Sequence, residues 1–501
     1  MIRTLALPPP HQETESVDLD KERFSSFESY LKDASFFTGK AKKIAFPRSE
    51  EQIALLLREA NKTGVPITVS GAGTGLTGAR VPSSGILLST ERMNRILSIQ
   101  WNERSGEGFA VLQPGVPLSA LEKALDEKSL FYAPNPGEKA ASIGGTVATN
   151  ASGSRSFKYG ATRRHIRRLR VLLPNGDLLE CARGQFREIG GIFEVKLSDG
   201  KTVRIPVPPR RMPKCKNAAG YFSSPGMDLL DLFIGSEGTL GVVTEIEVDV
   251  LRKPPALVSG LLFFPDEKSC RRFSQEIRQM AFDPRVLEFF DSRSLALLKK
   301  KHPEIPSGAG SALFFEQECG AGEDFGIERF WSSTFKGTGA WVSADPARQD
   351  ELRLFRYHLP VLVNEQVAAN GFRKVATDLA VPDESAEAML DFYLEILPDS
   401  GIDYCLFGHL GENHLHANLL PKTEQEFARS EAVYEKLARK AVELGGTISA
   451  EHGIGKLRIP YLEIMVGKEG LLQMARVKKA LDPNGILNPG NIVPAELLKE
   501  I

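Results

Sequence analysis

The sequence predicts an α+β protein of more than one domain, and three observations lead there. The chain has 501 residues, more than a single hydrophobic core usually serves. Three glycine-rich loops fall in its first half, before the pair Pro254-Pro255. Beyond that pair, strand-like and helix-like stretches alternate, as in a smaller α+β unit.

Taking the elements in order, residues 20–35 read as helical. Pro47 to Ala60 reads as an amphipathic helix, with Ile53, Leu56, Leu57 and Ala60 at helical spacing behind the capping run Ser49-Glu50-Glu51. Gly64 to Ser70 (GVPITVS) reads as turn plus strand, and a glycine-rich loop, a strand (ILLST) and an alternating stretch (GFAVLQPGV) follow. Residues 117–129 predict a helix that stops at the turn-rich Pro134-Asn135-Pro136-Gly137. The pair RLRVLLPNGDLLECA reads as a hairpin turning at Asn175-Gly176. Residues 228–254 give a helix end, a glycine loop and the strand VVTEIEVDVL. After the boundary come strand VSGLLFF, helix EKSCRRFSQEIRQM, strand RVLEFF and helix SRSLALLKK, with a second such pass over 349–445. The last 45 residues read as Gly/Pro-punctuated loops.

Composition narrows the function classes. With 42% hydrophobic and 25% charged residues, the chain has the balance of an ordinary globular enzyme. Its formal net charge of -1 argues against nucleic acid as a partner. The basic runs Arg163 to Arg170 and Arg210 to Lys216 read as solvated or anion-facing surface. Five scattered cysteines with no CxxC pair exclude a cysteine zinc site or an iron–sulfur cluster built by this chain alone, and fit a reducing cytoplasmic setting. Residues 1–12 do not read as a secretory signal, and no apolar run reaches membrane-span length. Peripheral membrane contact through a partner stays open.

The glycine loops carry the binding signal. Gly73-Thr74-Gly75-Leu76-Thr77-Gly78 matches GxGxxG but fails as a dinucleotide fingerprint, because Pro82 and the following Ser-Ser-Gly leave no room for the helix that fingerprint must open. The loop from Gly71 can still form an anion-binding nest of backbone N–H groups, or serve as an ordinary tight turn. A second loop, Ser142 to Gly153, is made almost wholly of small residues, which let a backbone approach a flat ring closely. A third, Ile234 to Gly241, contains Glu237 and Gly238. Three such loops before one boundary point to a single extended ligand.

Histidine is scarce, with eight in the chain, and four of them lie between positions 409 and 452. His409-Leu410-Gly411-Glu412-Asn413-His414-Leu415-His416 reads as a hairpin with Gly411-Glu412-Asn413 at its tip and a histidine on each arm. Glu451-His452-Gly453 follows downstream. Two imidazoles and a carboxylate form a known divalent-metal set with open positions, suited to zinc or a similar ion; a hydrogen-bonded histidine cluster is the plainer alternative.

Five motifs in order, GAGTGLTGA, PGVPLSALEKAL, PGEKAASIGGTVATNASGSRSFKYG, IGSEGTLGVVTEIEV and LDPNGILNPGNIV, resemble the FAD-binding oxidoreductases of the vanillyl-alcohol oxidase superfamily. Within it the chain is similar to the branch of D-lactate and D-2-hydroxyglutarate dehydrogenases and the flavin subunit of glycolate oxidase. The resemblance implies a two-part FAD-binding domain of that type over 41–253 and 456–501. It also implies an α+β cap with an antiparallel sheet over 254–455, behind an N-terminal helical segment, 1–40. It implies pyrophosphate over Gly71, Gly73, Thr74, Gly75, Leu76, Thr77 and Gly78. The flavin would lie near Pro136, Gly137, Gly144, Gly145, Thr149 and Gly153, with Glu237, Gly238, Val243 and Asn488 completing the site. The first loop lacks the His or Cys of covalently flavinylated members, so FAD is expected to be non-covalent.

HLGENHLH resembles the family's HLGDGNLH, which implies His409, His416 and Glu451 as metal ligands, with Asn418 and His452 facing substrate. The implied reaction is oxidation of a small D-2-hydroxy acid of lactate, glycolate or 2-hydroxyglutarate type. The metal would acidify the hydroxyl, His452 would take its proton, and hydride would pass to flavin N5. Arg356 and Lys374 are the candidates for holding the substrate carboxylate. His414 in place of Asn, Pro360 after Arg356, and the absence of a lysine from the aligned position within 375–379 are departures that bear on the substrate's distal end. An external electron acceptor, such as an iron–sulfur or cytochrome partner, is needed unless dioxygen serves. Oxidation of another alcohol or a lipid, and a non-catalytic electron-carrier subunit, remain the rival readings.

Overall fold

Helix Glu50–Thr63 begins where Ser49 Oγ accepts the N–H of Gln52 and ends where Gly64 turns left-handed (φ 69°). Its buried face, Ile53, Ala54, Leu57 and Ala60, packs on strands Ile67–Ser70 and Ile86–Ser89. In the computed structural model, which describes residues 2–4, 14–19, 27–197, 199–279, 283–335 and 337–501, these strands belong to a four-stranded sheet. Its order is Glu15–Asp18, Lys43–Phe46, Ile86–Ser89, Ile67–Ser70, with the last three parallel. A bridge between Ile67 and Leu487 brings the C-terminal segment alongside.

A seven-stranded antiparallel sheet follows, ordered Ile2–Thr4, Asp177–Ala182, Ile166–Leu172, Val242–Arg252, Glu107–Leu112, Ile96–Asn102, with Leu130–Phe131 also on Val242–Arg252. The strand Val242–Arg252 alternates buried and half-buried residues, as its sequence pattern requires of a sheet with one face inward. Past Pro254-Pro255 the chain builds an eight-stranded antiparallel sheet. Its order is Gly339–Ser343, Ala256–Phe264, Ser311–Cys319, Pro284–Phe290, Tyr404–His409, His414–Leu419, Val375–Ala376, with Leu379–Ala380 beside His414–Leu419. Pro284–Phe290 is buried at every residue because it is central and covered on both faces.

One hydrophobic core runs through both large sheets, from Val171 and Leu232 to Phe289, Ala417 and Leu471. A second lies between the eight-stranded sheet and helix Pro346–Asn370, where Phe263, Phe290, Phe314, Phe355 and Leu359 pack. Each such side chain contributes about 1.5–3 kcal/mol of burial energy. The fold is therefore α+β, with mixed helices and predominantly antiparallel sheets. No helix among the described residues is long and apolar enough to cross a membrane.

Three expectations need correction. The helix expected over 20–35 falls partly on residues 20–26, outside the described residues; the remainder holds only the short 3-10 turn Glu28–Leu31. The C-terminal stretch is not all loop: Ile459–Leu481 is helical, interrupted at Gly467 (φ 67°), and that break together with Pro460 hides its period. The basic runs are in large part scaffolding, with only Arg164, Arg211 and Lys214 exposed as a solvated surface would have them. Arg168 and Arg170 bind Glu245, Glu247 and Glu50, Arg163 binds Asp231, Arg210 binds the carbonyls of Ala219 and Tyr221, and Lys216 is buried.

Candidate active site

The three glycine loops converge on one cleft of about 1390 Å³, its open mouth included. Gly71, Gly73, Thr74, Gly75, Leu76 and Thr77 line it, with Pro136, Gly144, Gly145, Thr149, Glu237, Gly238, Val243 and Asn488. The first loop opens no helix, as Pro82 dictates. Instead Gly78 N–H donates to Asp33 Oδ2 at 2.8 Å, and the Arg80 guanidinium folds back to donate to Gly71 O (3.2 Å) and Ser29 O (3.0 Å). In the second loop Ser142 caps the short helix Ile143–Thr149, which presents Gly144 and Gly145 at its first turn.

Two polar atoms of lining residues, Arg80 Nε and Ser152 Oγ, are buried without a hydrogen-bond partner among the described residues. Unpaired buried donors are costly, and a bound anion or polar ring edge would relieve them. An FAD fits this donor set and these small residues.

The segment 449–457 is the hub of the site. Its Glu451 and His452 N–H groups donate to Asp378, its Ile454 and Gly455 N–H groups to Glu237 (2.6 and 2.7 Å), and its Lys456 N–H to Thr77 O (3.0 Å). Glu237 sits at φ 53° with its carboxylate turned to this backbone, so it clamps the hub to the third glycine loop. Burial raises its pKa to about 7.

The hub delivers Glu451 to the histidine hairpin. Strands Tyr404–His409 and His414–Leu419 pair His409 with His414, and the tip carries Asn413 in the left-handed region, as the hairpin reading requires. Ligating atoms of His409, His414, His416 and Glu451 lie within 4.8 Å of one another. Glu451 stands between two imidazoles, 3.4 Å from His409 Nε2 and 3.4 Å from His416 Nε2. Each histidine is oriented from behind. His416 Nδ1 is 3.0 Å from the Thr377 carbonyl, and His409 Nδ1 is 2.5 Å from Glu288, which also holds Arg356 Nε at 3.0 Å. With Nδ1 so engaged, both Nε2 atoms face the carboxylate, the arrangement that a divalent metal requires.

Electrostatics follow from this packing. Burial opposes protonation of His409, but Glu288 outweighs it and raises the pKa to about 9. Burial likewise opposes the charge on Lys216, yet Glu412 and Glu451 beside it (3.2 and 3.0 Å) push it up to about 12. Burial lowers the His452 pKa to about 4 against the pull of Asp378 and Glu451, which keeps the ring neutral near pH 7.

Not every expected residue arrives. Gly78, Gly137 and Gly153 do not line the cleft. Gly78 (φ 72°) and Gly137 (φ 81°) shape turns, and a Cβ on Gly153 would stand 1.8 Å from the Asn135 carbonyl, so that glycine serves chain packing. Asn418 is buried on the strand of His416 and donates to that residue's carbonyl. Lys374 precedes the edge strand Val375–Ala376, and no ion pair or hydrogen bond ties it to the cluster among the described residues. Pro360 leaves the Arg356 carbonyl without its i+4 helical donor, directly behind the side chain held by Glu288. Sequence reasoning missed Arg80, Lys216, Glu288 and Asp378; a lone carboxylate within the apolar run LEFF was the available signal for Glu288.

Known proteins share the two large segments of this chain. The family model for the FAD binding domain matches residues 41–182, and the one for FAD linked oxidases, C-terminal domain, matches 253–492. The chain is 31% identical over 462 residues to the glycolate oxidase subunit GlcD of Bacillus subtilis, covering 91% of this chain and 89% of that protein. It is 31% identical to a D-lactate dehydrogenase of Anaerostipes hadrus, covering 93% and 92%. With the D-2-hydroxyglutarate dehydrogenase of Stutzerimonas stutzeri it shares 29% over 94% and 95%. A 4-ethylphenol oxidase from Gulosibacter chungangensis shares the fold, with a TM-score of 0.65 at 20% identity over 96% of this chain and 94% of that one. The chain thus belongs to the FAD-linked oxidases of the vanillyl-alcohol oxidase superfamily, in the branch of the glycolate oxidase flavin subunit and the D-lactate dehydrogenases, and is an FAD-dependent oxidoreductase.

Proposed function

We propose that the protein oxidises a small D-2-hydroxy acid to its 2-oxo acid at a site shared by non-covalent FAD and a divalent metal, zinc being the ion that the donor set suits best. One observation carries this reading: Glu451 belongs to the histidine cluster and, with the adjacent His452, also lines the glycine-loop cleft. Flavin and metal would therefore act on the same small molecule. The names of the relatives supply the hydroxy acid and its D configuration.

FAD bound in the cleft supplies the two-electron acceptor. A metal held by His409, His416 and Glu451 supplies the acidity that prepares the substrate hydroxyl for deprotonation. The protein does the rest. His452, kept neutral by burial, takes the hydroxyl proton on the ring edge away from Asp378. Arg356, braced through Nε by Glu288, directs its remaining guanidinium donors to the substrate carboxylate. The described lining of the cleft contains no cysteine, which supports a dissociable flavin. Electrons then leave to an external acceptor.

His416→Ala and Glu451→Gln test the proposal. Both are expected to abolish flavin reduction by substrate while the protein keeps its flavin, because the cleft and the cluster are built largely by different segments. Full activity in either variant would contradict the shared site.

A further inference from the structure

A second cavity, of about 1160 Å³, lies beside the cleft and is lined by charge. Among its walls are Lys139, Arg155, Lys253, Arg285, Arg353 and Tyr357. Most of these cations are neutralised. Lys139 pairs with Glu122 and Lys253 with Asp126, while Glu316 receives both Arg285 Nε (2.8 Å) and Arg353 Nε (2.6 Å). Arg155 is the exception. It is half-buried, makes no ion pair or hydrogen bond through its guanidinium among the described residues, and lies 5.9 Å from the face of Phe131, with Glu316 and Glu122 attracting its charge from beyond contact. Burial and the neighbouring Arg285 push its pKa down against that attraction.

A half-buried guanidinium that lines a cavity without a direct partner has donors to offer an anion there. Its planar fork suits a carboxylate or phosphate. The position of the cavity says which molecule would bring that group. Asn135 lines the cavity and the next residue, Pro136, lines the flavin cleft. Arg353 and Arg356 are one turn apart on helix Pro346–Asn370, about 4.5 Å of rise. Arg356 in turn is bonded to Glu288, the carboxylate on His409.

We infer that this cavity is a specificity subsite in which Arg155, flanked by Arg285 and Arg353, receives a second anionic group at the far end of the hydroxy-acid substrate. The inference rests on the oxidation reading above and narrows it to substrates that carry a second carboxylate or a phosphate.

The test compares D-lactate with D-malate and D-2-hydroxyglutarate in anaerobic flavin reduction by wild type, Arg155→Met and Arg155→Lys, each with full flavin content. Calorimetric titration with inorganic phosphate accompanies it. The wild type is expected to favour the dicarboxylates at least tenfold in kcat/KM. Arg155→Met should collapse that ratio tenfold or more and lose phosphate binding, and Arg155→Lys should keep most of both. An unchanged ratio in Arg155→Met, with or without loss of phosphate binding, overturns the assignment to substrate. If no hydroxy acid reduces the wild-type flavin, the oxidation reading itself falls. The phosphate titration then decides the cavity alone: binding lost in Arg155→Met keeps an anion site, and binding unchanged removes it.

Discussion

Glu288 Oε1 lies 2.5 Å from His409 Nδ1, and the carboxylate that makes this contact is buried in the central strand of the eight-stranded sheet. Burial disfavours the Glu288 charge, but Arg356 and His409 outweigh it and hold the pKa down to about 2. The pair fixes the imidazole so that Nε2 faces Glu451. Glu288→Gln, which keeps shape but removes the charge, is expected to weaken metal binding by about 10–100-fold. Metal content after dialysis against graded chelator would measure this, with flavin content unchanged. A variant that holds metal as tightly as the wild type would show that Glu288 serves only the core.

Two glycines of the second loop separate binding from packing. A Cβ on Gly145 meets only Ser142 Oγ, at 3.1 Å, so the branches of valine would project into the cleft. Gly145→Val should therefore give folded but flavin-free protein, read from the absorbance spectrum. Gly153→Ala places its Cβ against the Asn135 carbonyl and should cost about 1–3 kcal/mol or more of stability. Normal flavin content in Gly145→Val would refute the placement of the ring over this helix turn.

Glu237 gives a pH signature with a definite sign. Burial raises its folded pKa to about 7, against an ordinary value near 4.5, despite the N–H groups of Ile454 and Gly455. Between those values the folded chain holds a proton that the unfolded chain has lost. The contribution is fully present below pH 4.5 and fades as pH rises through about 7. At about 1.4 kcal/mol per unit, this group accounts for a fall on the order of 3 kcal/mol. Glu237→Gln should flatten that part of the stability–pH curve, followed by denaturant midpoints of the flavin-loaded protein. An unaltered slope would mean that Glu237 is ionised throughout.

Much of the cleft and the hairpin was legible because each is a local pattern. Gly71 to Thr77, Gly144-Gly145 and His409 to His416 each sit within a dozen residues, where spacing alone constrains geometry. Arg80, Glu288, Asp378 and Lys216 were not legible, because the partners that matter here lie at least 68 positions away or are carbonyls that only the folded loop presents. Asp378 illustrates this: fully buried, it gathers the N–H groups of Glu451 and His452 and the Arg458 guanidinium, none of them near it in sequence. Helix Ile459–Leu481 was missed for a local reason, since Pro460 and Gly467 interrupt the apolar period that would have announced it.

The most direct measurement is anaerobic reduction of the bound flavin by paired D- and L-2-hydroxy acids, followed by absorbance with and without chelator. Bleaching by one enantiomer, suppressed by the chelator and restored by added zinc, is the expected result, because Glu451 links the cluster to the cleft. Equal bleaching before and after removal of the metal would contradict a shared site, and a flavin that no hydroxy acid bleaches would contradict the reaction itself.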